Sequence, residues 1–192
     1  MIAAAALDQL PPPGPPEVAF AGRSNAGKSS AINALAGRNR LAFASRTPGR
    51  TQQIVMFGLP SGAIVADLPG YGYAAVPKAV KRVWQDVLAT YVATRSTLVA
   101  LVLVVDARHG LKPLDLSMLD GFLPSGRPVM VLATKSDKLT RTESARASAA
   151  IRGQLAERYR EQAAYVTVVP FSATARTGLM EADAILAGWL AA

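Results

Sequence analysis

Residues 18–30 read VAFAGRSNAGKSS, and this stretch predicts a strand, a glycine-rich loop and a helix in direct succession. Val18–Ala21 are apolar, as in a short buried strand. A helix is expected from about Lys28 to Ala36, where Gly37 is a typical C-terminal cap. The loop between them, Gly22–Ser29, fits the pattern G-x-x-x-x-G-K-[ST]. This context favours a phosphate loop over a plain glycine-rich turn.

The phosphate loop, Gly22–Ser29, carries the groups that this chemistry needs. Its glycines let consecutive backbone N–H groups wrap the phosphates, Lys28 reaches the β and γ groups, and the Ser29 hydroxyl can bind Mg²⁺. A plain turn would give no reason for a lysine at the start of the helix. The nucleotide-binding residues predicted here are Gly22, Arg23, Ser24, Asn25, Ala26, Gly27, Lys28, Ser29 and Ser30.

Strands and helices alternate along the rest of the chain. Further strands are predicted at 54–59 and 63–66 as a hairpin, then at 98–107, 128–133 and 165–169. Residues 98–107, LVALVLVVDA, are continuously apolar, as a central parallel strand buried on both faces should be. Apolar stripes and a Thr140–Glu143 capping box predict helices at about 77–92, 113–122, 140–160 and 179–190. Residues 38–52 are expected to form a loop.

This alternation predicts an open α/β fold, a mostly parallel central sheet with helices on both faces. We expect residues 1–16 to be a proline-rich lead-in and residues 17–192 to form a single domain. Such sheets bind ligands at the carboxyl ends of their strands. Each motif considered below directly follows a strand, and this agreement supports a single site.

Composition excludes several classes of protein. Of the 192 residues, 51% are hydrophobic and 18% charged, which indicates a globular chain. Because cysteine is absent, disulfides, thiolate metal sites and cysteine nucleophiles are excluded. The first ten residues, MIAAAALDQL, lack the basic region of a signal peptide, and the longest apolar run is far below the ~20 residues of a membrane helix. We expect a soluble, cytoplasmic monomer with no membrane partner.

The net charge of +8 has two interpretations, solubility or a polyanionic partner such as RNA. The distribution favours RNA, because basic residues crowd the first of two loop regions expected beside the nucleotide and flank the second. These are Arg38, Arg40, Arg46 and Arg50, then Lys78, Lys81 and Arg82. His109 is interpreted as a solvated loop residue. A separate group on the 140–160 helix is interpreted as a solvated face: Arg141, Arg146, Arg152, Arg158 and Arg160.

Residues 66–73, ADLPGYGY, contain an Asp-x-x-Gly motif at Asp67-Leu68-Pro69-Gly70. Asp67 ends an apolar strand, where it could hold a Mg²⁺-bound water while the Gly70 N–H meets the γ-phosphate. In the Ras-type template the next residue is a glutamine that orients the attacking water. Here it is Tyr71, so either the chain does not hydrolyse the nucleotide or it positions the water by other means.

Two motifs predict a guanine base. Thr134-Lys135-Ser136-Asp137 is similar to Asn-Lys-x-Asp, in which the carboxylate of the last residue accepts the N1–H and the 2-amino group, donors that adenine lacks. The stem of Lys135 can lie over the base. The Ala173 N–H of Phe171-Ser172-Ala173 could meet the 6-oxygen.

The stretches EVAFAGRSNAGKSS, RTPGRTQ, DLPGYGYA, TKSDKL and FSA together resemble the EngB family of bacterial ribosome-assembly GTPases, of the TrmE-Era-EngA-EngB-Septin-like class. The resemblance runs from about Glu17 to the C-terminus. It implies a Ras-like G domain that binds GTP and GDP and acts with the large ribosomal subunit or its rRNA. It also implies that Thr51 is the switch threonine that completes Mg²⁺ coordination, with Gly49, Arg50, Gln52 and Gln53 beside the nucleotide.

The candidate catalytic residues are therefore Lys28, Thr51 and Gly70, and the candidate Mg²⁺ ligands are Ser29, Thr51 and, through water, Asp67. K⁺ is a second candidate cofactor, because related assembly GTPases carry a potassium-coordinating asparagine at the position of Asn25. Alternatively, Asn25 only shapes the loop, since asparagine tolerates unusual backbone angles. Two other functions stay open: a nucleotide-binding assembly factor without meaningful hydrolysis, and a phosphate-loop metabolic kinase, against which the TKSD motif argues.

Overall fold

One mainly parallel sheet lies at the centre of the computed structural model, which describes residues 1–37, 42, 53–72 and 78–191, with backbone alone at 78–85. In these residues seven strands pair in the order β1-β3-β4-β2-β5-β6-β7. β1 and β3 run antiparallel to their neighbours, and all the other pairs are parallel. The strands are β1 (Ile2–Ala4), β2 (Glu17–Gly22), β3 (Ile54–Gly58), β4 (Ile64–Asp67), β5 (Leu98–Asp106), β6 (Val129–Thr134) and β7 (Val166–Pro170).

Five α-helices of the described chain cover the two faces of the sheet, as the alternation predicts. They are α1 (Lys28–Leu35), α2 (Lys78–Thr94), α3 (Pro113–Phe122), α4 (Arg141–Arg158) and α5 (Leu179–Leu190). On one face, α2, α3 and α4 contribute Leu88, Leu119 and Leu155 to a single core. On the other face, α1 and α5 contribute Ile32 and Ala182 to a second core. The predicted fold class is confirmed.

The central strand β5 explains why its sequence is continuously apolar. Leu101 and Leu103 belong to the core on one face, whereas Val102 and Val104 belong to the core on the other. All four side chains are 0% exposed. Because successive residues of a strand point to opposite faces, a strand covered on both sides needs apolar residues at every position. Burying one such side chain contributes about 1.5–3 kcal/mol.

Local signals in the sequence set the ends of several elements. Thr140 and Glu143 form the predicted capping box at the start of α4, with the Thr140 N–H donating to the Glu143 carboxylate at 2.8 Å. Gly37 follows α1 with a positive φ of 59°. The turn after β3 closes with a 2.8 Å hydrogen bond from the Leu59 N–H to the Ala63 carbonyl, and the predicted hairpin is confirmed.

The N-terminus contains a strand that the sequence prediction, which set residues 1–16 apart as a lead-in, did not include. Ile2–Ala4 form the edge strand β1, where Ala4 faces Ile54 of β3 and is buried. Three residues are too few to carry an alternating pattern, but the outer edge of β3 presents unpaired backbone groups that an extended segment satisfies. The division of the chain at residue 17 stays a prediction.

Most of the loop predicted at 38–52 lies outside the described residues. Ala42 is described, and the Asn33 side chain of α1 holds it from both sides. Its backbone N–H donates to the Asn33 Oδ1 at 2.7 Å, and its carbonyl accepts from the Asn33 Nδ2 at 2.9 Å. Within the described ranges, no helix combines the length and the apolar character that crossing a membrane requires.

Candidate nucleotide-binding site

The loops that follow β2, β4, β5, β6 and β7 gather at one edge of the sheet, because the carboxyl ends of parallel strands share that edge. The phosphate loop follows β2, and the Asp-x-x-Gly motif follows β4. Thr134–Asp137, the guanine motif, follows β6, and Phe171–Ala173 follow β7. The topology therefore brings the described parts of the predicted site to one edge.

At the start of α1, Lys28 contacts the end of β4. Gly27 has a φ of 99°, which favours glycine, and it precedes the helix as its N-cap residue. The Lys28 ammonium forms an ion pair and a hydrogen bond with the Asp67 carboxylate. The lysine predicted to bind phosphate and the aspartate predicted to hold a Mg²⁺-bound water are therefore direct neighbours.

The available donors fit a Mg²⁺ ion that is also bound by nucleotide phosphates. Ser29 follows Lys28 directly and offers a hydroxyl, and Asp67 offers a carboxylate. Mg²⁺ prefers such oxygen ligands and usually keeps several waters. In the described ranges no group of three or more His, Cys, Asp or Glu side chains could hold a metal by itself. The Ser29 hydroxyl and the Asp67 carboxylate therefore suit a Mg²⁺ ion whose remaining ligands are nucleotide phosphates and water.

Two side chains of the guanine motif bind carbonyls of the phosphate loop. The Thr134 hydroxyl donates to the Ala26 carbonyl at 2.5 Å, with the Val105 carbonyl 3.1 Å away. The Lys135 ammonium donates to the Asn25 carbonyl at 2.6 Å. Threonine thus braces the phosphate loop from the position that asparagine occupies in the usual motif.

The carboxylate of Asp137 is held by the loop after β7. The buried Ser172 hydroxyl donates to Asp137 Oδ1 at 2.7 Å, and this bond holds the pKa of Asp137 below its usual range. The Ser136 N–H donates to the Phe171 carbonyl at 3.2 Å, so the two loops are also joined through their backbones. The Phe171 side chain packs in the core, whereas Ala173 is partly exposed.

The segment Asp67–Tyr71, which we name the second switch because the predicted switch threonine Thr51 precedes it in the sequence, lies along the phosphate loop. The Ser24 N–H donates to the Tyr71 carbonyl at 2.9 Å, and the Tyr71 N–H donates to the Gly22 carbonyl at 3.3 Å. A Cβ on Gly70 would lie 3.1 Å from the Ser24 hydroxyl, so a glycine suits this close approach. Leu68 and Pro69 are buried. The Tyr71 hydroxyl donates to Asp115 on α3 at 2.7 Å.

Sequence reasoning missed Asp106, which lies at the end of β5. Burial acts to raise its pKa, but hydrogen bonds from Arg108 and Lys135 outweigh this effect and hold the pKa well below its usual range. Its carboxylate is 3.0 Å from the Lys135 ammonium. The sequence did carry a signal for Asp106, because this residue lies at the end of a predicted buried strand, as Asp67 does. Asp106 lines a cavity of about 240 Å³ together with Asn25 and Ala26 of the phosphate loop and Asp115 of α3.

Several predicted residues lie outside what the structure describes. These are Gly49, Arg50, Thr51 and Gln52, and the basic residues Arg38, Arg40 and Arg46. Lys78, Lys81 and Arg82 lie on α2, in the part described by backbone alone. Gln53 directly precedes β3 and is partly exposed, Ser30 on α1 is exposed, and His109 is exposed as predicted.

The predicted solvated face on α4 is exposed along its length. Two of its arginines have partners within the domain. Arg158 forms a 2.8 Å ion pair with Asp120, and Arg152 donates to the Val168 carbonyl at 3.1 Å. This exposure agrees with the interpretation of the face as solvated surface, which stays a prediction.

Solved structures with the same fold include a probable GTP-binding protein EngB, which is 22% identical with a TM-score of 0.68 and covers 91% of this chain and 98% of that one. Era in complex with MgGDPNP and nucleotides 1506–1542 of 16S ribosomal RNA is 23% identical with a TM-score of 0.67, covering 91% of this chain and 56% of that one. At such identities the likeness shows the fold, a Ras-like phosphate-loop GTPase domain.

Similarity in sequence identifies the family of the chain. The model of the 50S ribosome-binding GTPase family matches residues 17–135. Probable GTP-binding protein EngB of Azoarcus sp. strain BH72 is 54% identical over 94% of this chain and 85% of the relative. Its counterpart in Bordetella pertussis is 48% identical over 98% of this chain and 92% of the relative. The chain belongs to the EngB family of GTP-binding proteins.

Proposed function

We propose that the chain binds GTP and GDP, hydrolyses GTP slowly and acts as a nucleotide-dependent switch in assembly of the large ribosomal subunit. The observation that carries the nucleotide assignment is the contact of Thr134 and Lys135 with the Ala26 and Asn25 carbonyls. These contacts fix the base-reading motif relative to the phosphate loop. A single nucleotide can therefore span both, with its phosphates on the loop and its base against Asp137.

The sequence motifs and the contacts of the described residues support a role for each site residue. Phosphate-loop N–H groups and Lys28 would bind the β and γ phosphates, and the Gly70 N–H would meet the γ group. Ser29, with Thr51 and a water on Asp67, would hold Mg²⁺, whose charge stabilises the phosphates. Asp137 would accept two donors of guanine, while the Ser172 bond keeps its carboxylate in place.

Slow hydrolysis is proposed because Tyr71 offers no group to the attacking water. Its hydroxyl is already bonded to Asp115, on the side of α3. The same observation favours the second candidate function, a nucleotide-binding assembly factor without meaningful hydrolysis. Single-turnover hydrolysis of GTP, with and without large ribosomal subunits, separates the two. A rate no greater than that of GTP alone under both conditions would refute hydrolysis and leave the second candidate.

The ribosomal partner is supported by the match to the 50S ribosome-binding GTPase family and by the net charge of +8. Co-sedimentation with large subunits tests it, with GDP compared with a non-hydrolysable GTP analogue. We expect tighter binding with the analogue, and weaker binding as salt rises, because a basic surface releases counterions from RNA.

Matched charge reversals locate the basic surface. Changing Arg38, Arg40 and Arg46 to glutamate should weaken binding and flatten its salt dependence. A control that reverses Arg141, Arg146 and Arg160, all exposed on α4 or just after it, should have little effect. An affinity for large subunits that changes with neither the salt concentration nor the bound nucleotide would count against the ribosomal role.

A further inference from the structure

The second switch is held from outside the nucleotide site by a residue of α3. The Tyr71 hydroxyl donates to Asp115 Oδ1 at 2.7 Å, across 44 residues of sequence. Tyr71 occupies the position after Gly70, where the Ras-type template has a water-orienting glutamine. Its side chain is directed to α3 instead, so this position has a different task here.

The acceptor on α3 is firmly placed. Asp115 is 1% exposed, and its second oxygen accepts the Lys112 N–H at 2.9 Å in the first turn of the helix. The Asp115 N–H donates back to the Lys112 carbonyl at 2.9 Å. A buried carboxylate that loses a hydrogen-bond donor is left poorly solvated, which favours keeping the Tyr71 bond closed. Asp115 therefore gives Tyr71 a fixed point of attachment.

The backbone of Tyr71 is hydrogen-bonded to the phosphate loop, so the attachment to Asp115 also restrains the contact with this loop. Its carbonyl accepts the Ser24 N–H at 2.9 Å, and its N–H donates to the Gly22 carbonyl at 3.3 Å. Gly70, one residue earlier, lies against Ser24 so closely that a Cβ would come within 3.3 Å of the Ser24 Cα. Fixing Tyr71 therefore restrains the backbone of Gly70, which lies beside Ser24 of the phosphate loop.

We propose that Asp115 is a positioning residue which, through the Tyr71 hydroxyl, holds the Gly70 N–H ready for a terminal phosphate and so favours GTP over GDP. This inference rests on the proposed function, because it concerns the γ-phosphate contact of that site. GDP lacks the γ-phosphate, so its affinity does not depend on the hydrogen bond between Tyr71 and Asp115, which we call the tether. Because the tether already restrains the second switch, GTP binding has less of this segment to order.

The test compares GDP with a non-hydrolysable GTP analogue by calorimetry in four proteins: wild type, Tyr71→Phe, Asp115→Ala and the double variant. Tyr71→Phe removes only the hydroxyl. This variant should lower the affinity for the GTP analogue about tenfold, as expected for loss of a hydrogen bond to a charged group. It should change the affinity for GDP less than twofold. Asp115→Ala should shift the ratio of the two affinities similarly, and the double variant no further, because both act through one bond.

Tyr91→Phe is the matched control. The Tyr91 hydroxyl also donates to a buried carboxylate, that of Glu17, at 2.9 Å. The bond lies at the start of β2, away from the carboxyl edge of the sheet. This variant should lower the melting temperature but leave the ratio of the two affinities unchanged. An unchanged ratio in Tyr71→Phe, or an equal loss for both nucleotides, would overturn the proposal.

Amide hydrogen exchange of the nucleotide-free protein tests the tether without relying on GTP binding. The Ser24 and residue 71 amides should exchange faster in Tyr71→Phe than in wild type or Tyr91→Phe, because their hydrogen bonds open more often. Unchanged exchange would overturn the proposal even if the affinities shifted. Failure of wild-type protein to bind GTP would instead refute the proposed function, and the exchange rates would still report on the tether.

Discussion

The Ser172 hydroxyl donates a 2.7 Å hydrogen bond to the Asp137 carboxylate, which fixes the direction of the side chain predicted to read guanine. Ser172 is held in turn, because its oxygen accepts the Ala175 N–H at 3.0 Å. The bond therefore couples the loop after β7 to the motif after β6. Base recognition would depend on both loops and not on Asp137 alone.

The first prediction concerns base selectivity. Wild-type protein should prefer GDP to ADP by roughly 10⁴, because adenine leaves the Asp137 carboxylate without donors. Ser172→Ala removes one neutral donor to that carboxylate and should weaken GDP binding about fivefold while keeping the preference. Asp137→Asn should abolish most of the preference. Calorimetric titration with both nucleotides measures this, and equal wild-type affinities for ADP and GDP would refute the guanine assignment.

The second prediction concerns acid stability. Arg108 and Lys135 lower the pKa of Asp106 in the folded protein, so the ionised carboxylate stabilises the fold above the ordinary aspartate pKa of about 3.9. This stability is lost as the pH falls towards the lower folded pKa. Asp106→Asn should therefore be less stable than wild type at pH 7, and the difference should shrink from about pH 5 to pH 2. Urea unfolding at several pH values measures it.

A surface pair supplies the control for this pH dependence. Arg158 also lowers the pKa of Asp120, but both side chains are more than two-fifths exposed. Asp120→Asn should cost at most about 1 kcal/mol at pH 7, because exposed ion pairs contribute little. If the stability difference for Asp106→Asn does not narrow in acid, its ion pairs with Lys135 and Arg108 are not what stabilises the loop after β5.

The fold was predictable because its signals are local. The buried strand β5 and the capping box of α4 each occupy a few consecutive residues. Contacts between distant residues left no such signal. Nothing near Tyr71 in the sequence indicates Asp115, 44 positions later, and nothing in TKSD shows that Thr134 would reach the Ala26 carbonyl. The order of motifs predicted which loops meet, but not which side chains bond across them.

The third prediction concerns a buried cluster at the opposite end of β2. Glu17 is fully buried, and its carboxylate accepts hydrogen bonds from Arg95, Tyr91 and Thr97. Arg95→Met would leave this carboxylate buried without its counter-charge and should cost about 3–5 kcal/mol of stability. Tyr91→Phe removes one neutral donor and should cost about 1–2 kcal/mol. Urea unfolding measures both.

Measurements of nucleotide affinity test whether the Glu17 cluster is independent of the nucleotide-binding site. At temperatures where the variants stay folded, Arg95→Met and Tyr91→Phe should bind GDP as wild type does. Glu17 lies at the amino end of β2, whereas the phosphate loop follows its carboxyl end. A loss of GDP affinity in folded Arg95→Met protein would show that the cluster also shapes the phosphate loop.

The last prediction concerns K⁺ and Asn25. With no glutamine after Gly70, a monovalent cation held by the Asn25 amide oxygen could supply the charge that accelerates hydrolysis. A supplied positive charge is typically worth ~10³–10⁵ in rate.

The structure also supports the alternative, since Asn25 has a φ of 65°, a conformation that asparagine tolerates. Asn25→Gly removes the whole side chain, the amide included, and tolerates the positive φ, so it tests the ion without straining the loop. If K⁺ is used, GTP turnover should be much faster in KCl than in NaCl at equal ionic strength. Asn25→Gly should lose the difference while binding GDP normally. Equal wild-type rates in both salts would leave a group of the ribosomal partner as the source of the charge.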